Sequence, residues 1–222
     1  MPGTGFRLKH GVSFCRVDGR ALFLDLNADR YFCLSPTGER AFSRLVDGDS
    51  LKRDDRAALD NLVRDGPLER TAGPNAVTGC EPPRLPTRSR LDEPVAVGNL
   101  ALIGPAASLM AAPLRLRIQG LAGVITWLAR RKSREAARRD LEAINQAATA
   151  FARLRIVATE RNNCLTRSIA VADRLLAIGA RPDLVIAVKL RPFYAHAWVQ
   201  CDGWLINDRH EFVRIYTPIL VV

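Results

Sequence analysis

Between Ala72 and Val97 the chain carries Pro74, Pro82, Pro83, Pro86 and Pro94 among Gly, Thr, Ser and Arg residues, with little apolar periodicity. Each proline fixes its own φ and removes a backbone donor, so no helix or central strand runs through such a segment. It reads as a linker over 72–97, dividing a mixed block (1–71) from a larger one (98–222), both of ordinary domain size. With 48% apolar residues among 222, each block can bury a core, and a disordered chain is excluded.

The five cysteines, at 15, 33, 80, 164 and 201, are odd in number, widely spaced and free of any Cys-x-x-Cys pair. Neither a disulfide framework nor a zinc site is indicated, so they are read as free thiols and no metal is expected. The first ten residues lack the basic start, apolar run and small-residue cleavage site of a secretory signal, and a cytoplasmic location is expected. Residues 94–114 are uncharged, but Pro105, Pro113, two glycines and an asparagine dilute them. No stable membrane span is expected there; a helix pair packed inside the C-terminal block is. Most of the net charge of +10 lies in that block, with 18 basic and 9 acidic residues over 97–222. The densest run, Arg130 to Arg139, reads as a solvated helix face. The first block, with 12 basic and 11 acidic residues over 1–70, lacks the basic face of a nucleic-acid module, and no nucleic-acid partner is expected.

The first block opens with three strand-type segments, Val12–Val17, Ala21–Leu26 and Tyr31–Leu34, joined at Asp18-Gly19 and at 27–30. Ser35-Pro36 then places an N-cap and a first-turn proline ahead of a helix that buries Ala41, Phe42 and Leu45. A second helix over about 53–64 presents Leu59, Leu62 and Val63 and ends before Gly66-Pro67. The Asp29-x-Tyr31-Phe32-x-Leu34-x-x-x-Gly38 pattern in this order of elements resembles the winged-helix modules that recognise leader peptides of ribosomally made, modified peptides. The resemblance implies that a leader adds to the third strand and lies against the last helix. Its peptide-binding residues would be Tyr31, Phe32, Cys33, Leu34, Leu59 and Leu62.

In the second block Leu141, Ile144, Ala148 and Phe151 form one apolar helical stripe, read as core. Then Asn162-Asn163 offers an N-cap directly before Cys164, and an apolar face runs through Leu165, Ile169, Ala172 and Leu176 to a stop at Gly179. A cysteine in the first helical turn meets unpaired amides and the positive end of the helix dipole, which favour the nucleophilic thiolate. Downstream, 183–190 reads as a buried strand and 196–208 as a hairpin that begins at His196 and ends at Asp208. A two-residue Asp202-Gly203 turn sets Asp208 opposite Ala197, on the wrong face. A three-residue turn, Cys201-Asp202-Gly203 with a bulge, sets it opposite His196, and this turn is expected because a carboxylate beside the ring would fix its tautomer.

Cys, His and Asp in this order, on a helix start and adjacent strands, resemble the transglutaminase-like and papain-like cysteine enzymes, and an α+β fold is expected. Asn163-Cys164-Leu165-x-Arg167-Ser168, followed by Phe193-x-x-His196-Ala197-Trp198-Val199, is similar to the B proteins of lasso-peptide biosynthesis in which leader module and peptidase are fused. The resemblance implies a cysteine peptidase with catalytic Cys164, His196 and Asp208 that needs no cofactor. Its partners would be a precursor peptide, bound by its leader, and an asparagine-synthetase-like cyclase that uses ATP. The alternatives are amide transfer on the same triad and a non-catalytic peptide- or nucleic-acid-binding winged-helix protein.

Overall fold

The computed structural model describes residues 5–134, 140–155 and 163–222. The chain forms two units, Met1–Glu81 and Pro82–Val222.

In the first unit, β1 (Gly5–Leu8) precedes an antiparallel meander of β2 (Val12–Val17), β3 (Arg20–Asp25) and β4 (Arg30–Cys33). The β2–β3 turn places Asp18 and Gly19 at φ 50° and 75°, the left-handed pair that a tight hairpin requires. Helix α1 (Pro36–Asp47) is capped by Ser35, whose hydroxyl accepts from the Gly38 amide at 3.3 Å. Helix α2 (Arg53–Arg64) begins where the Asp55 carboxylate accepts from the Lys52 amide at 3.0 Å. Strand β5 (Leu68–Thr71) returns to pair with β1, a two-stranded ladder the sequence reading did not anticipate. Phe14, Phe23 and Phe42 meet at the centre of the core, the last two edge to face at 5.0 Å.

Strand β4 ends the three-stranded sheet, as strand addition would need. Leu59, however, has no exposed surface and Leu34 is 7% exposed; both belong to the core and have no face to offer a peptide. Phe32 stacks on Phe23 at 5.2 Å and is half-buried, as are Tyr31, Cys33 and Leu62. A resemblance in the order of elements names a strand and a helix for the groove but does not say which of their residues face inward, and Leu34 and Leu59 are the ones that do.

The stretch expected to be a linker is divided between the units. Asn75 accepts from the Phe6 amide through Oδ1 at 3.1 Å, the Ala76 amide donates to Phe6 O, Val77 is buried, and the Cys80 amide donates to Phe14 O. Prolines exclude regular structure here without preventing the backbone from packing. On the other side of the boundary, β6 (Arg88–Ser89) joins the sheet of the second unit.

In that unit a 3-10 turn (Asn99–Leu102) leads into α3 (Ile103–Arg134), which is broken at Gly120 by a φ of 64° and ψ of 175°. Leu121, Val124, Ile125 and Leu128, after the break, are buried, whereas Ile103, Met110, Leu114 and Ile118, before it, are exposed. The packed helix pair expected over 94–114 is therefore not found: that stretch is the exposed first half of one broken helix, and the segment Asn99–Ser133 is long and apolar enough to cross a membrane. From the basic run, Arg131 pairs with Asp173 and Lys132 Nζ lies 2.6 Å from Asp183, so both cations serve the fold; Glu135 to Arg139 lie outside the described residues. Helix α4 (Leu141–Arg155) buries Ile144, Ala148 and Phe151 but leaves Leu141 half-exposed, so the apolar stripe starts one turn later than expected.

Helix α5 (Cys164–Ala177) is followed by β7 (Asp183–Lys189), β8 (Tyr194–Cys201), β9 (Trp204–Leu205), the short α6 (His210–Val213) and β10 (Thr217–Val221). The sheet order is β10-β7-β8-β9-β6, antiparallel except for β9–β6. Trp198 of β8 is buried with Val185, Ala187, Leu205 and Val213.

The β8–β9 turn differs from the expectation. Gln200 pairs with Leu205 and Cys201 with Trp204, which makes a two-residue turn at Asp202-Gly203 with φ of 49° and 79°. No bulge is present. The ladder then stops: Ile206 N still donates to Val199 O, but Val199 N donates to the Asn207 side chain at 2.8 Å, and the chain bends through 206–208. Asp208 therefore escapes the strand alternation that would have turned it away. Replacing Gly203 with alanine meets no neighbouring atom but forces a side chain into the left-handed region. Gly203→Ala should cost about 1 kcal/mol in urea denaturation, and Gly203→Asn less.

Candidate active site

Cys164 is the first residue of α5, but the capping expected of the asparagines is not made by Asn163: its side chain forms no cap bond, and Asn162 lies outside the described residues. The amides of Ala197 and Leu165 are directed at the sulfur instead. Burial pushes the Cys164 thiol up, but the hydrogen bond to His196, the charge of its ring and those two amides outweigh burial and hold it below the ordinary 9.0. Other thiols move the opposite way: burial pushes Cys15 up to about 12 and Cys201 to about 11, and raises Cys80.

His196 Nε2 lies 2.5 Å from Asp208 Oδ2, which leaves Nδ1 for the thiol. Burial pushes the imidazole down, yet the hydrogen bonds to Asp208 and Cys164 and their charges lift it from 6.5 to about 9. Thiol, imidazole and carboxylate thus form one line, and the two shifts run in the directions that favour a thiolate and an imidazolium. The His196 and Asp208 side chains retain 22% and 16% of their exposure, so the line is held by the protein but open to a substrate. Tyr216 packs its ring 5.2 Å from His196. Burial, and then the charges of Cys164 and Asp208, raise its phenol and favour the neutral form.

Asp208 is held from both sides. Its Oδ1 accepts from the Arg209 amide at 2.8 Å, and its backbone carbonyl accepts from the buried Ser89 hydroxyl at 2.6 Å. Arg90, beside Ser89, lies over the Trp204 ring at 3.6 Å. His10 lies in the other unit, and His210 turns its Nδ1 to Pro86 O at 3.0 Å. Among the described residues no group of three His, Cys, Asp or Glu side chains is arranged to hold a metal.

Residues 106–221 match the model of the transglutaminase-like superfamily, a span that includes Cys164, His196 and Asp208. The chain belongs to the transglutaminase-like superfamily. A 48-residue stretch is 42% identical to the microcin J25-processing protein McjB of Escherichia coli, covering 22% of this chain and 23% of that relative. No solved structure matches.

Three polar residues hydrogen-bonded around this transglutaminase-like site, Ser89, Ser168 and Asn207, were not legible as site residues in the sequence. Ser89 sat in the supposed linker. Ser168 lies one turn after Cys164 on the same helix face, and that spacing is the signal for it. Asn207 sits in a strand-type segment, where the signal is that an asparagine side chain can take a backbone hydrogen bond in place of the ladder.

An NMR titration of the His196 ring should give a midpoint near 9, above the ordinary 6.5. In Asp208→Asn the midpoint should fall toward 6.5, because the carboxylate that favours the protonated ring is gone.

Proposed function

We propose that this protein is a cysteine peptidase that binds a precursor peptide by its leader and removes the leader during lasso-peptide maturation. The observation that carries the reading is the Cys164–His196–Asp208 line, with the thiol lowered and the imidazole raised, in a chain of the transglutaminase-like superfamily. The stretch of identity with a microcin-processing protein points to the same class of substrate.

In this reaction the Cys164 thiolate attacks the scissile carbonyl and forms a tetrahedral oxyanion. The amide of Cys164, unpaired in the first turn of α5, would donate to that charge. The carbon–nitrogen bond breaks as His196 gives its proton to the leaving amine, releasing the core peptide with a free amino terminus. Water then attacks the thioester, losing its proton to His196, and frees the leader as a carboxylic acid. Asp208 holds Nε2 throughout, so that Nδ1 faces the reacting atoms. The freed amino terminus is the group that an ATP-dependent, asparagine-synthetase-like cyclase would join to a side-chain carboxyl, and such a cyclase is the proposed partner. The first unit would hold the leader along the open edge of β4 and against Leu62 of α2, raising the local concentration of the cleavage site.

Precursor peptide incubated with the protein, with and without a cyclase of that class, should yield leader and core whose summed mass exceeds the precursor by one water. A product carrying an added amine would instead identify an acyltransferase. Cys164→Ala should lower leader release by roughly three orders of magnitude; undiminished release would refute the proposal. Between pH 5 and 10 the rate should rise as Cys164 loses its proton and fall above about 9, where His196 loses the proton it must give to the amine.

Tyr31→Ala combined with Leu62→Glu should weaken binding of a fluorescent leader peptide by about tenfold or more in an anisotropy titration. The same double variant should leave alkylation of Cys164 unchanged.

A further inference from the structure

Behind the reacting line lies a second, fully enclosed set of hydrogen bonds. Ser168, with no exposed surface, donates its hydroxyl to Ala197 O at 2.9 Å and accepts from Asn207 Nδ2 at 2.9 Å. Asn207, 7% exposed, accepts from the Val199 amide through Oδ1 at 2.8 Å. Three of its four members are close in sequence to a member of the reacting line. Ser168 stands one helical turn after Cys164, Ala197 follows His196, and Asn207 precedes Asp208. The Ala197 backbone belongs to both sets: its N–H is directed at the Cys164 sulfur and its carbonyl accepts from the Ser168 hydroxyl.

We propose that Ser168 and Asn207 are positioning residues: their buried hydrogen bonds lock the start of α5, strand β8 and the 206–208 bend together, aligning Cys164, His196 and Asp208. The proposal rests on the reading of Cys164 and His196 as the reacting pair.

The direction of each bond is determined. Val199 N–H can only donate, so it requires the Asn207 oxygen. The Asn207 nitrogen then faces Ser168, which must accept from it and therefore sends its own proton to Ala197 O. Neither residue has another geometry that satisfies all four groups, and a buried unpaired group is costly, so the arrangement resists sliding. Asn207 also supplies the acceptor that replaces the next ladder carbonyl, and so creates the bend that brings Asp208 to the imidazole. Asn207→Asp keeps the shape but places an acceptor opposite Ser168, which then cannot serve both it and Ala197.

The test reads Cys164 directly, through its rate of alkylation by iodoacetamide against pH, followed by peptide mass spectrometry, with circular dichroism as a check of folding. In the unaltered protein the midpoint should lie below 9.0. In Ser168→Ala and in Asn207→Asp it should move up by about one pH unit, which lowers the rate near pH 7 about tenfold. With a precursor peptide, kcat should fall about 100-fold with KM little changed, as expected when reacting groups are misplaced by about an ångström. Should Asn207→Asp fail to fold, Ser168→Ala, which removes a single oxygen, decides the matter. A folded Ser168→Ala protein with the unaltered midpoint and kcat would overturn the proposal. His196→Ala separates the two readings: if it leaves the Cys164 midpoint in place, the reacting pair itself is wrong. If it moves the midpoint and Ser168→Ala does not, only the positioning role fails.

Discussion

The site depends on where one β-ladder stops. Strands β8 and β9 pair for only two residues beyond a tight turn, and continued pairing would carry Asp208 to the face opposite His196. Asn207 interrupts the ladder by offering its side-chain oxygen to Val199 N in place of a backbone carbonyl. The chain bends, Asp208 comes round, and its carboxylate reaches Nε2 at 2.5 Å. From that contact follow the raised imidazole, the lowered thiol and the charge state in which the site can act. A polar side chain used as a backbone substitute thus does what a bulge was expected to do.

Several elements were legible because they depend on local signals. Arg53–Arg64 was anticipated with the same bounds, and the start of α5 at Cys164 follows from its apolar face and from the stop at Gly179. His196 was marked by being one of three histidines and by its place in a strand-type segment, although the strand begins two residues earlier, at Tyr194. What was not legible depends on contacts distant in sequence. The short strands β1, β5, β6 and β10 pair with partners that periodicity does not name. The fate of Leu59 and Leu34 depended on how many layers lie beyond them, and apolar spacing does not report that.

The turn at Asp202-Gly203 teaches a narrower lesson. Asp-Gly suits two left-handed positions in succession, the local chemistry of a two-residue turn. With pairing continued past the turn, only a three-residue turn sets Asp208 opposite His196. Both local chemistry and the contact hold in the structure, because the conflict between them is resolved after the hairpin and not within it. Constraints inferred from function fix which groups must meet, but they leave open where along the chain the adjustment is made.

The place of Ser89 bears on how the second unit can be cut free. Its hydroxyl holds the Asp208 carbonyl, and β6 covers the outer edge of β9. A fragment beginning at residue 98, where composition alone would place the boundary, loses both. The two-residue β9 is then left as an unpaired edge, and the carbonyl behind the carboxylate loses its donor. The separable piece begins at about Pro82, so the residues that look most like a tether are part of what they were thought to connect.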